Sequence, residues 1–185
     1  EWVISIDADE IVTETLAREI QKAVLDDRFT AYRFKRMNYF LNKPLRFAGP
    51  GNDYVLRLFQ KKQGSFKGAV HETVELSAGA RSGMLHGELL HAGTESLEEY
   101  FHKLEIYTNL EAVRLDAENR VPSMLVALLR PPAKFFLDYI ARGGFLDGWP
   151  GALYHALSCW YGWVKNFKAK AGLIKTDKDR HAYRN

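Results

Sequence analysis

Apolar positions recur along this chain with two distinct periods. Trp2-Val3-Ile4-Ser5-Ile6 is a short run rich in β-branched and aromatic residues, the pattern of a buried strand. Val12, Leu16, Ile20 and Val24 then recur every four residues, with Arg18, Glu19, Gln21 and Lys22 between them. That spacing predicts an amphipathic helix over Thr13 to Leu25, with Thr13 as its N-cap. Partial alternation over Ala31 to Leu41, with Tyr32 and Phe34 against Arg33, Lys35 and Arg36, predicts a strand followed by a loop. Pro44, Gly49, Pro50 and Gly51 make Lys43 to Asp53 irregular, a loop able to close over a substrate.

Tyr54 to Lys62 reads as a strand, with Val55, Arg57 and Phe59 on one side and Tyr54, Leu56 and Leu58 on the other. Phe66 to Leu76, with Val70-His71-Glu72 in its middle, and Glu88 to Gly93, with His91, complete three short strands between residues 54 and 93. The period then becomes helical. Ser96 and Glu99 have capping-box spacing, and Leu97, Phe101, Leu104 and Leu110, flanked by Tyr100 and Tyr107, carry a helix to about Leu115. Met124 to Leu129 continues as helix after Pro122, and Pro131-Pro132 is expected to interrupt it. A further helix leads through Phe135, Phe136, Tyr139 and Ile140 to Gly143-Gly144. Asp147 is placed to cap a last helix, Gly151 to Lys170.

Composition changes this picture little: 46% hydrophobic and 26% charged residues in 185 are ordinary for a globular chain of one-domain size. Charge distribution changes it more. The net charge is +3, yet the segment from Trp160 to Asn185 holds seven Lys/Arg against Asp177 and Asp179. Gly148 to Val164 is free of formal charge apart from the titratable His155. With Tyr154, Trp160, Tyr161, Trp163 and Phe167 followed by lysines, it suggests a helix lying in a bilayer interface or buried on the domain. A basic tail, 173–185, reads as a solvated end. A single cysteine, Cys159, excludes an internal disulfide and sits in an apolar segment as a packing residue. The chain opens at Glu1 directly on a core strand, so a preceding segment is expected.

The chemistry concentrates at Asp7-Ala8-Asp9-Glu10, three carboxylates in four positions at a strand end. In open α/β sheets ligands bind at such ends. In extended chain Asp7 and Asp9 point the same way, and two nearby carboxylates repel unless a cation joins them. A hard divalent ion, Mg²⁺ or Mn²⁺, suits such oxygen ligands. The bland reading is an acidic strand end capping the next helix. Arg57, among apolar strand neighbours, is either a surface cation or one aimed at a phosphate.

A hydrophobic strand ending in Asp-Ala-Asp-Glu resembles the DxD motif of nucleotide-sugar glycosyltransferases with the GT-A fold. Together with Arg57-Leu58-Phe59, Val70-His71-Glu72, His91 and Gly143-Gly144-Phe145-Leu146-Asp147-Gly148, the order of motifs is similar to bacterial family-two glycosyltransferases of lipopolysaccharide core synthesis, the β-glucosyltransferase branch. The resemblance runs over essentially the whole chain. It implies an α/β fold: the C-terminal part of a GT-A (Rossmann-like, mixed sheet) core over 1–95, then a helical C-terminal region over 96–172. The nucleotide-binding half that precedes the DxD strand in the family would be the missing segment.

The resemblance further implies an inverting transfer of a hexose such as glucose from a nucleotide-sugar donor to a lipid-linked or core-oligosaccharide acceptor. The cytoplasmic face of the inner membrane is the implied place, with peripheral membrane contact. Asp9, supported by Asp7, would hold a divalent cation (Mg²⁺ or Mn²⁺), with His91 or His71 completing its shell or binding phosphate. Glu72 would be the general base on the acceptor hydroxyl, and Glu10 and Arg57 would contact substrate. Metal-dependent phosphoryl or nucleotidyl transfer would require a second acidic cluster, and none follows a strand. A membrane- or nucleic-acid-binding module would use the aromatic-basic C-terminus but leaves the acidic cluster unexplained, and nucleic acid is not an expected partner.

Overall fold

The computed structural model describes residues 1–51, 53–67 and 73–172. The chain divides into two compact units: Glu1–Tyr39 with Pro44–Gly93, and Phe40–Lys43 with the chain from Thr94 onward. The architecture is α/β, a sheet with a helix packed on it in the first unit and a helical region in the second.

In the first unit, strands β1 (Trp2–Ile4), β2 (Glu10–Val12), β3 (Ala31–Phe40), β4 (Lys43–Pro44), β5 (Tyr54–Gln60) and β8 (Ser82–Thr94) form one sheet, and β6 (Gly64–Lys67) and β7 (Thr73–Leu76) a separate hairpin. The segment Phe66 to Leu76 is therefore two strands rather than one. Helix α1 (Glu14–Ala23) is capped by Thr13, whose hydroxyl accepts from the Leu16 N–H. A short helical turn, α2 (Ala48–Gly51), lies in the irregular loop. The core gathers Leu16 and Ala23 of α1 with Tyr32, Phe34, Leu58, Leu85 and Leu89 of the sheet, and Val12, Ile20 and Val24 pack against it. A Cβ at Gly87 would lie 2.4 Å from Leu16 Cα, so glycine is what lets α1 lie this close to β8.

Strand order decides where the acidic segment goes. The main path runs β1-β5-β3-β8-β2, so β1 and β2, consecutive in sequence, lie at opposite ends of it. The pairs β1–β5, β5–β3 and β8–β2 are antiparallel. The connector, residues 5–9, must pass three intervening strands at about 4.8 Å per step. Its start is tied by Ser5 N–H to the Arg57 carbonyl at 2.9 Å. Its end is tied by Ala92 N–H to the Asp9 carbonyl at 3.0 Å.

In the second unit, α3 (Leu97–Ala117) starts at Ser96, which accepts from Glu99 N–H at 3.1 Å. Its buried stripe is Leu104, Thr108 and Ala112, while Leu97, Phe101 and Tyr107 are exposed. The small side chains at 108 and 112 suit close packing, and Lys168 of α5 (Gly148–Ala171) reaches the Thr108 hydroxyl at 2.9 Å.

Pro131-Pro132 does not end its helix. Helix α4 (Met124–Phe135) runs through both prolines and continues as a π turn over Phe136–Ala141. Each proline lacks the N–H that would reach four residues back, which frees the carbonyls of Ala127 and Leu128. α5 supplies replacement donors. Trp163 Nε1–H donates to the Leu128 carbonyl at 2.9 Å, and the buried Asn166 Nδ2 approaches the Ala127 carbonyl at 3.5 Å. Gly162 lets the two helices close, since a Cβ there would sit 3.0 Å from the Pro131 ring. The Trp163 indole is thus part of a helix junction.

The end of the π turn is fixed by charge. Asp138, buried, is ion-paired with Lys134 and, at 2.8 Å, with Arg142. Burial pushes its carboxyl upward, but the two cations outweigh that and hold it below its usual value. Gly143 turns the chain at φ 76°, and a 3₁₀ turn over Gly144–Asp147 leads into α5 with Asp147 at the N-cap position. His155 packs on that turn, 2.5 Å from where a Gly144 Cβ would be, and burial depresses its imidazole. Burial likewise raises the half-buried Cys159 thiol, consistent with a packing role.

Replacing Trp163 by Phe keeps the ring but leaves the Leu128 carbonyl without its donor. This should cost about 0.5–1.5 kcal/mol in urea unfolding, the worth of one hydrogen bond that water can partly replace. Trp160→Phe, on an exposed side chain of the same helix, should cost under about 0.5 kcal/mol. Equal losses would show that the indole N–H does not hold the junction.

Candidate active site

The connector does not stay extended through its acids. Residues 8 and 9 form a turn closed by Glu10 N–H donating to the Asp7 carbonyl at 3.0 Å. Asp7 and Asp9 therefore do not share a side as an extended segment would have them, and each meets a different strand.

Glu10 turns inward. Its side chain is fully buried and accepts from Arg57 Nη2 at 3.2 Å, Arg36 Nη1 at 3.4 Å and the Asp7 backbone N–H at 2.9 Å. A buried carboxylate is tolerable only with such partners. Arg57 also pairs with Asp7 through the same Nη2. Its placement has a local cause: the β3–β5 register shifts so that Tyr32 opposes Leu58 and Arg33 opposes Leu56, leaving Arg57 as the extra residue of a β-bulge. Bulges re-aim side chains in this way. Arg57 Nε is buried with no hydrogen-bond partner among the described residues.

Arg36 links this centre to a second one. Its Nε donates to Asp53 Oδ2 at 2.7 Å. Burial opposes the Arg36 charge, yet Asp53 and then Glu10 overcome it and push its pKa above the ordinary guanidinium value. Asp53 Oδ2 also accepts from Asn38 Nδ2 at 3.1 Å, and Asn38 Oδ1 lies 2.9 Å from His91 Nδ1. His91 Nε2 in turn lies 3.2 Å from Asp9 Oδ2. Glu10 and His91 are register partners across β2 and β8. One network thus runs Asp7, Arg57, Glu10, Arg36, Asp53, Asn38, His91, Asp9.

This network sets the state of the His91 ring. A carboxylate only accepts, so the amide nitrogen of Asn38 must face Asp53 and its oxygen must face His91. His91 Nδ1 then carries the proton. In the neutral ring Nε2 is left with a lone pair toward Asp9, and two acceptors at that distance call for a proton or a metal ion between them. Asp9 and His91 are partly exposed, their side chains at 48% and 24%. Their oxygen and nitrogen donors suit a divalent cation that keeps its other positions for phosphate and water. Asp7, its side chain 52% exposed, pairs with Arg57 through Oδ2. No three His, Cys, Asp or Glu side chains converge as a metal cluster among the described residues.

Of the expected site residues, the fold brings together Asp7, Asp9, Glu10, Arg57 and His91. Glu10 lies wholly inside, with no surface to offer a substrate. His71 and Glu72 lie outside the described residues. Sequence reasoning missed Arg36, Asn38 and Asp53. Arg36 and Asn38 stand two apart on one strand, the spacing of a shared face, and that was the available signal.

The comparisons set this geometry among known proteins. An uncharacterized glycosyltransferase of Rickettsia felis is 25% identical over 189 residues, covering 95% of this chain. Others from Rickettsia conorii and Rickettsia prowazekii are 28% and 29% identical over 164 residues, each covering 82% of it. The chain spans 66%, 57% and 56% of the length of these three relatives. No family model matches the chain, and no solved structure matches it. At a coarse level these distant relatives support the glycosyltransferase class.

Asn38→Leu removes the amide oxygen that accepts from His91 Nδ1–H. Side-chain ¹⁵N spectra of the neutral ring should show the Nδ1–H form in the native chain and a mixture of tautomers in the variant. A native ring protonated at Nε2 would contradict the assignment.

Proposed function

We propose that this chain carries the metal- and acceptor-handling part of an inverting glycosyltransferase, moving a hexose such as glucose from a nucleotide-sugar donor to a lipopolysaccharide-core or related glycan acceptor. The observation that carries this reading is the Asp9–His91 pair. It is partly exposed, built from the turn before β2 and from β8, and oriented from behind by Asn38 and Asp53. Distant relatives named as glycosyltransferases support it.

In this reading Asp9 and His91 hold a divalent cation, Mg²⁺ or Mn²⁺. When bound, that ion supplies charge neutralisation for the diphosphate leaving group. Asn38 keeps His91 Nε2 turned toward Asp9. Arg57 and Glu10 fix the turn that presents Asp9, with Asp7, paired to Arg57, in support. Glu72 is assigned, through the family resemblance, to take the proton from the acceptor hydroxyl as that oxygen attacks the anomeric carbon. Attack opposite the diphosphate inverts the anomeric centre. His71, beside it in sequence, is assigned to substrate phosphate. A lipid-linked acceptor at the cytoplasmic membrane face fits the same resemblance.

Calorimetry with UDP, on this chain within its full-length protein, tests this. Binding should require Mn²⁺ and weaken at least tenfold in Asp9→Ala. Binding indifferent to both the ion and Asp9 would contradict the assignment and return the acidic turn to a purely structural role.

A further inference from the structure

Asp53 stands where two arms of the hydrogen-bond network meet. It immediately precedes β5, and its backbone carbonyl accepts from the Arg36 N–H at 2.7 Å, so the pairing of β3 with β5 fixes where its side chain starts. One oxygen, Oδ2, then serves two donors, Arg36 Nε at 2.7 Å and Asn38 Nδ2 at 3.1 Å. The first arm runs through Arg36 Nη1 to Glu10 Oε1 at 3.4 Å, and Glu10 holds the turn on which Asp9 sits. The second runs through Asn38 Oδ1 to His91 Nδ1 at 2.9 Å. Asp9 and His91 meet at 3.2 Å where the two arms end.

Neutralising Arg36 does not account for this placement. The guanidiniums of Arg36 and Arg57 already face the carboxylates of Glu10 and Asp7, so Asp53 is a third acid for two bases. What Asp53 adds is direction. A carboxylate offers only lone pairs, whereas an amide or a hydroxyl can present a hydrogen. The Asn38 amide therefore has one orientation in which its nitrogen meets a good acceptor. Its other contact on that side, the Arg36 carbonyl, is weaker at 3.4 Å. Hydrogen bonds to an ionised partner are also the stronger ones, so the Asp53 charge stiffens both arms. Groups that orient metal ligands from behind typically change metal affinity by about 10–100-fold without touching the ion.

We propose that Asp53 is the positioning residue of the Asp9–His91 pair. It sets the His91 tautomer through Asn38 and steadies the Asp7–Glu10 turn through Arg36. The use of this arrangement rests on the proposed function, in which the pair holds the cation, and the inference deepens that reading by naming one residue behind the site that governs both donors.

Asp53→Asn tests it, because the amide keeps the size and can present either a donor or an acceptor to Asn38. In this chain within its full-length protein, free of metal ion, side-chain ¹⁵N spectra should change from the Nδ1–H form of His91 to a mixture of tautomers. Hydrogen exchange of the Asp7 N–H, which Glu10 accepts at 2.9 Å, should quicken at least threefold. Mn²⁺ titration without nucleotide, read from the electron spin resonance of the free ion, should show affinity at least tenfold weaker. Asp53→Glu keeps an acceptor-only group and should retain the Nδ1–H form. Glu88→Gln removes a carboxylate paired with Lys35 of β3, outside the network, and should leave all three readouts unchanged. Circular dichroism checks the fold of each variant, and Asp53→Ser repeats the test if the amide variant does not fold. A folded variant that keeps the native tautomer and binds Mn²⁺ within twofold of the native chain would overturn the proposal. So would a native ring protonated at Nε2, or equal losses in Glu88→Gln. Absence of Mn²⁺ binding in the native chain would instead strike the proposed function, while the tautomer and exchange readouts, taken without metal, still decide the role of Asp53.

Discussion

A buried carboxylate between two guanidiniums organises the first unit. Glu10 is out of water, so its charge must be matched inside the protein, and Arg36 and Arg57 match it from two adjacent strands. The connector from β1 to β2 passes the intervening strands with its two ends tied by backbone hydrogen bonds, and the Glu10 side chain anchors the turn between them. With Glu10 pinned and its backbone turned, Asp7 and Asp9 are delivered to different partners. A bulge at Arg57 is the local distortion that makes the anchor reachable. Removing one partner from such a pair leaves a stranded charge at a cost of about 3–5 kcal/mol, a large share of a domain's stability.

The same economy appears in the helical unit with neutral groups. Two prolines remove two backbone donors, and two side chains of α5 face the carbonyls so released. The junction fixes which side of α4 is inside. The inner side is small and polar because it must approach α5 closely, and the large apolar residues are left on the other side. The exposed apolar stripe is thus a direct consequence of how the prolines are accommodated.

Local patterns in the sequence were enough for much of the fold. The four-residue period of Val12 to Val24 and the caps at Thr13 and Ser96 correspond to α1 and the start of α3, because these signals depend on near neighbours alone. Pro131-Pro132 misled for the complementary reason. A proline pair breaks a helix unless distant side chains satisfy the freed carbonyls, and Trp163 and Asn166 lie more than thirty residues away. The candidate site shows the same limit. The acidic cluster at Asp7 to Glu10 was visible, but which acid points inward depends on the strand order β1-β5-β3-β8-β2, which no local pattern encodes. Arg36, Asn38 and Asp53 carry no motif, and their roles arise only once β3 and β5 are paired.

A double-mutant cycle between Glu10 and Arg57 tests the central claim most directly. Glu10→Gln, Arg57→Gln and the double variant would be compared with the native chain by urea unfolding. The account predicts a coupling above about 1.5 kcal/mol, with the double variant more stable than additivity allows. Additivity within about 0.5 kcal/mol would show that the pair does not hold the connector, and the geometry presented to Asp9 and His91 would need another cause.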